Sequence, residues 1–152
     1  MSLINVLLDT RWFNFYTIRV LFISIIAEII IITTSNRYIK DFLGMIILFM
    51  LFTISIVAAI LVYIYPKYIN IPLLQYKLVG NELRTMDLFF HQMPLIIHLF
   101  LLNYKFWSFN TQYIVPAIII NLCFLIIYLV KVNPFEIYFP DEFNKNKNKN
   151  KK

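Results

Sequence analysis

Charge, glycine and cysteine are scarce in this chain, and each scarcity excludes something. Only 14% of its 152 residues are charged, against about 25% in a soluble domain. So few charges cannot cover a water-facing surface, which excludes an ordinary soluble globule. There are two glycines, Gly44 and Gly80. No Gly-rich phosphate loop and no G-x-S-x-G nucleophile turn is present. The one cysteine, Cys123, can neither close an internal disulfide nor supply a C-x2-C metal site. His91 and His98 are the only histidines, and their spacing does not make an H-x3-H pair. Metal binding and cofactors are therefore not expected. No N-x-S/T sequon occurs, since Asn110-Thr111-Gln112 has its threonine one position early.

Apolar residues fill the space that charge leaves. The chain is 61% hydrophobic and 18% aromatic, with a mean hydropathy of +0.73. Its net charge of +6 sits at the termini and loops. That pattern reads as membrane flanks and a lysine tail rather than a nucleic-acid face. The length suggests one domain. The expected fold is all-α, an integral membrane bundle of four transmembrane helices, with the lipid bilayer as its first partner and no nucleic acid.

About 20 apolar residues cross a bilayer, and four stretches qualify, at about 13–34, 42–65, 88–107 and 113–130. The first is too long for a signal-peptide core and lacks a small-x-small cleavage site, so it is expected to be retained. Ser35 to Asp41 reads as a tight polar turn, which makes the first two spans antiparallel neighbours. In the second span Ser55 and Ala59 form a small-xxx-small pair suited to close helix approach. Between the second and third spans, Ile71, Leu74 and Leu78 recur at helical spacing, which predicts a short interfacial segment. Residues 1–143 form the single membrane domain on this reading. Lys131 to Phe143 packs along the membrane surface, and the Asn/Lys tract 144–152 is a disordered tail.

Polar groups inside hydrocarbon are costly and are functional candidates by default. Arg19 lies near the start of the first span and can reach the near interface. Glu28 sits deeper, and must be protonated, paired or turned to a polar cavity. Arg19 cannot pair with it within one helix, because nine residues place the two on opposite faces about 13 Å apart. In the third span Asp87, His91 and His98 fall within about 40° of one another on one face. Asp87 and His91 are spaced i,i+4 and can meet, whereas His98 is about 10 Å further on. Pro94 interrupts the helix between them and frees the Phe90 carbonyl. Depth counting sets His98 against Asn121 of the fourth span, with Glu28 a little deeper, and Arg19 near Asp87.

Four spans place both termini and the 66–86 loop on one side, with Arg11, Arg19, Lys67, Lys77, Arg84, Lys131 and five tail lysines. Arg37, Lys40 and Lys105 fall on the other. The positive-inside rule then puts both termini in the cytoplasm. The Ile/Asn/Lys/Tyr-heavy spans and the 144–152 tail resemble the small multi-pass membrane proteins of large DNA viruses with AT-rich genomes. The resemblance lies in the style of the whole chain. It implies residence in a host or virion membrane and carries over no functional residue.

Three functions fit these residues. The first is a non-catalytic membrane protein that works by helix contacts or membrane structure, alone, as a homo-oligomer or with another membrane protein. In it Arg19, Glu28, Asp87, His98 and Asn121 make intramembrane polar contacts. The second is a small oligomeric ion or proton conductance protein using Glu28 and His98. The third is a membrane-embedded lipid hydrolase using Asp87, His91 and His98 as catalytic groups.

Overall fold

A computed structural model describes residues 16–60, 84–85 and 87–132. The expected surface segment at 1–11, the interfacial segment expected within 66–86 apart from residues 84 and 85, the surface segment beyond 132 and the 144–152 tail lie outside the described residues. Among those described, the chain is helical without a strand. α1 spans Tyr16–Thr33 and α2 spans Arg37–Ala59. A π-helical turn, Leu88–Gln92, leads into α3, Met93–Asn103. A 3-10 turn, Thr111–Tyr113, leads into α4, Ile114–Lys131. Three stretches are long and apolar enough to cross a membrane: Tyr16–Thr33, Arg37–Ala59 and Thr111–Lys131. Leu88–Asn103 is a shorter apolar helix.

α2 is the central element, and it packs against α1, α3 and α4. Half of its apolar window is buried inside the protein, against 11% of that of α4. The buried residues of α1 are Tyr16, Val20, Ser24, Ala27 and Ile31, one stripe at three- and four-residue steps. The opposite face of α1 carries Phe22, Ile25, Ile29 and Ile32, all exposed. α4 likewise leaves Val115, Ile119, Ile126, Ile127 and Val130 uncovered. An apolar surface of this extent belongs in lipid or against a partner, not in water.

Two boundaries differ from those expected. Arg37 to Asp41 is helical rather than turn, because Asn36 caps α2. Its side-chain oxygen accepts from the Tyr38 and Ile39 N–H groups at 3.0 and 3.3 Å, which satisfies two donors left open at a helix start. The turn between α1 and α2 is therefore only Thr34 to Asn36. The helix expected to run to 107 as a third span ends at Asn103. Phe106 N–H donates to the Leu101 carbonyl at 2.9 Å and Lys105 N–H to that of Leu102 at 3.0 Å. This is a Schellman stop, with Lys105 at φ 59° where glycine is usual.

That stop turns Trp107 back into the bundle. The ring is fully buried and stacks on His98 at 4.9 Å between centroids. It also lies against Gly44, where a Cβ would overlap the indole. A glycine in α2 is thus the place of closest approach. Ser55 is buried, but its expected small-residue partner Ala59 is only half-buried.

Candidate functional site

Polar side chains that meet across the helices gather at three levels along α2. At the level of Thr53 and Ser55, the π-helical turn sets the geometry. Pro94 has no N–H, so the helix cannot close regularly onto the preceding turn. The Met93 N–H instead bonds five residues back, to the Leu88 carbonyl. Ser55 Oγ donates to the His91 carbonyl at 2.6 Å, and Gln92 Nε2 donates to the Ser55 carbonyl at 3.3 Å. These two bonds fix the wide turn to α2.

His91 is held at both ring nitrogens. Nδ1 lies 3.0 Å from Asp87 Oδ1, and Nε2 lies 3.2 Å from Thr17 Oγ1 on α1. Asp87 is 2% exposed. Arg19 was expected beside Asp87, but its guanidinium lies over the Tyr128 ring of α4, 5.5 Å from the centroid. The i,i+4 histidine reaches the carboxylate first, from one turn along the same helix. Asn121 is at the same level. Its Nδ2 donates to Thr53 Oγ1 at 2.9 Å, and its Oδ1 accepts from the Tyr16 hydroxyl at 3.3 Å. Tyr16 further packs on Phe124 and Tyr128 at 5.6 and 5.1 Å between ring centroids. One amide thereby joins α1, α2 and α4.

The middle level holds Glu28, Gly44, His98 and Trp107. His98 is fully buried. Its Nε2 is 2.9 Å from the Gly44 carbonyl and therefore carries a proton to donate. Its Nδ1 is 3.4 Å from Glu28 Oε1, but not aligned as a hydrogen bond. The two side chains are in contact across α1 and α3 without sharing a hydrogen bond. The expected His98–Asn121 bond is not made. Asn121 faces Thr53, more than two turns along α2 from the Gly44 carbonyl that His98 meets.

At the third level Asp41, 8% exposed, accepts from the Ser108 N–H at 2.6 Å and pairs with Arg37 Nε at 3.2 Å. Arg37 also bonds the Lys105 carbonyl at 3.1 Å and the Ser108 hydroxyl. This cluster ties the loop after α3 to the start of α2.

Of the catalytic candidates, Asp87 and His91 meet and His98 stands apart, against Gly44 and Glu28. Sequence reasoning did not single out Thr17, Gly44, Trp107 or Asp41. Thr17 carried a usable signal, since it lies two residues before Arg19 at the depth of His91. Among the described residues no three His, Cys, Asp or Glu side chains cluster as a metal site. No protein-family model, curated protein or solved structure matches the chain.

Proposed function

We propose that this is a four-span integral membrane protein that acts through helix contacts, holding a partner helix or shaping the bilayer, rather than chiefly by turning over a substrate. The observation that carries the reading is where the intramembrane polar groups go. Asn121 joins three helices, His98 joins three, and the His91 turn is bonded to both α1 and α2. Such ties bring about 0.6 kcal/mol each, up to about 1.7. In lipid there is little hydrophobic drive between helices, so bonds of this size help to fix the arrangement.

Leu88–Asn103 is the short member, about 24 Å long against a hydrocarbon core of about 30 Å. Its contacts support a crossing. His91 meets Ser55, His98 meets Gly44, and Ser108 meets Asp41. The third segment therefore runs antiparallel beside α2 through most of its depth. Both termini then share a side, and the lysine and arginine bias makes that side cytoplasmic.

Conductance gains no support from the middle level. The His98 Nε2 proton is given to a backbone carbonyl, and Trp107 stacks over the ring. The test is reconstitution in liposomes loaded with a pH-sensitive dye. Vesicles carrying the protein are expected to leak protons no faster than empty ones. Glu28→Gln and His98→Ala are expected to lower thermal stability in detergent without changing that rate. A proton leak abolished by either substitution would replace this reading with the conductance one.

A further inference from the structure

Helix assembly does not require the order in which Thr17, His91 and Asp87 are aligned. The Asp87 carboxylate, once ionised, only accepts hydrogen bonds, so the Nδ1 it faces at 3.0 Å carries a proton. Nε2 is then left with its lone pair, and the Thr17 hydroxyl 3.2 Å away donates to it. Nucleophile, base and orienting carboxylate stand in sequence, which is the arrangement that activates a hydroxyl for acyl transfer. The base is also held still, because the His91 carbonyl is bonded to Ser55 and its neighbour Gln92 bonds the Ser55 backbone. A bare helix clasp would need one contact to His91, not a buried carboxylate behind it.

Depth and surroundings select the substrate class. Thr17 is in the first turn of α1, and Asp87 precedes the π-helical turn that opens the third segment. Both lie at the end of the bundle where these two helices begin. With the four spans proposed above, that end falls at the boundary between hydrocarbon and headgroups, where glycerolipid esters reside. Leu88, Phe89 and Phe90 beside the histidine are exposed apolar side chains, a surface for acyl chains rather than for a soluble substrate.

We propose that Thr17, His91 and Asp87 form an acyl-transfer site for glycerolipid esters. Thr17 Oγ1 bonds to the ester carbonyl carbon while its proton passes to His91 Nε2. The bond from that carbon to the glycerol oxygen breaks, and the oxygen leaves with the proton from His91. Water then adds to the threonyl ester by the same route, releasing a fatty acid and restoring the hydroxyl. The sum is one ester and one water giving one alcohol and one acid. Thr17 and His91 are the catalytic residues, and Asp87 is a positioning residue. This activity goes beyond the helix-contact reading and shares with it the placement of the helices and the bonds of His91 to Thr17 and Ser55.

The test uses the full chain in liposomes containing a fluorogenic phosphatidylcholine, with a fluorophosphonate probe and peptide mass spectrometry. The wild-type protein is expected to release fatty acid and to carry one probe adduct, on Thr17. Thr17→Ser keeps activity, and Thr17→Val loses both turnover and adduct. His91→Gln lowers the acylation rate by roughly 100-fold or more. Asp87→Asn lowers it too and alters its pH profile, whereas a purely structural role would change only thermal stability. The proposal is overturned if the folded wild-type protein acquires no adduct on Thr17, or if release persists unchanged in folded Thr17→Val. Either result leaves the proton-leak and stability outcomes of the helix-contact reading untouched.

Discussion

Gly44 and Lys105 are two residues whose backbone or side-chain size is dictated by a neighbour. At position 44 an added Cβ would enter the Trp107 ring, and the ring is wedged against His98. Gly44→Ala is expected to lower stability by about 1–3 kcal/mol, the usual cost of overpacking. Thermal unfolding in detergent measures it; an unchanged midpoint would mean that Trp107 does not occupy this place. Lys105 is the reverse case. Its φ of 59° costs an L-residue about 1 kcal/mol or more that glycine does not bear. Lys105→Gly should raise the unfolding midpoint by a comparable amount. Neither effect is legible in the sequence. Gly44 lies in an unbroken apolar run, and what makes it necessary is a tryptophan 63 positions later in the chain.

At the scale of the helices, hydrophobicity reveals where the segments lie but not which way they face. The described ends of the three helices long enough to cross a membrane were legible to within six residues, because the length of an apolar run sets them. The inward face of α1 was not legible from apolar residues, since Val20 and Ile31 turn inward while Ile25 and Ile29 turn outward. Both faces of these helices are apolar, and it is the small and polar residues that mark the interior. Ser24, Ala27 and Glu28 lie on or beside the buried stripe, as do Ser55 and Ala58 in α2. The pairing of those groups across helices still needed the structure. Depth counts good to about one turn could not distinguish Asn121 from Gly44 and Glu28 as the neighbour of His98.

Two local devices can be tested at this same scale. The Asn36 side chain accepts two N–H groups at the start of α2. Asn36→Ala should cost about 1 kcal/mol in thermal unfolding. The missing N–H of Pro94 opens the π-helical turn. Pro94→Ala restores a donor, so amide hydrogen exchange across 88–95 is expected to slow as the turn tightens. Equal exchange in both proteins would mean that the Ser55 and Gln92 bonds, and not the proline, hold the turn open.

For the whole molecule, the proposed four-span bundle requires the third segment to cross the membrane beside α2. Its contacts run from Ser55 to Asp41 along α2, but its apolar length falls short of the other three. Energetic coupling between levels follows from the same placement. Glu28 and His98 should show an interaction energy of about 1 kcal/mol in a double-mutant cycle, while Glu28 and Asn36, which touch none of the same groups, should add independently. The most direct test is side-specific labelling of single cysteines in a Cys123→Ser background with a membrane-impermeant maleimide. Ser35→Cys and Tyr104→Cys are expected to label from one side of the membrane, and Gln75→Cys and Asn146→Cys from the other. Labelling of Tyr104→Cys and Gln75→Cys from the same side would contradict the four-span bundle.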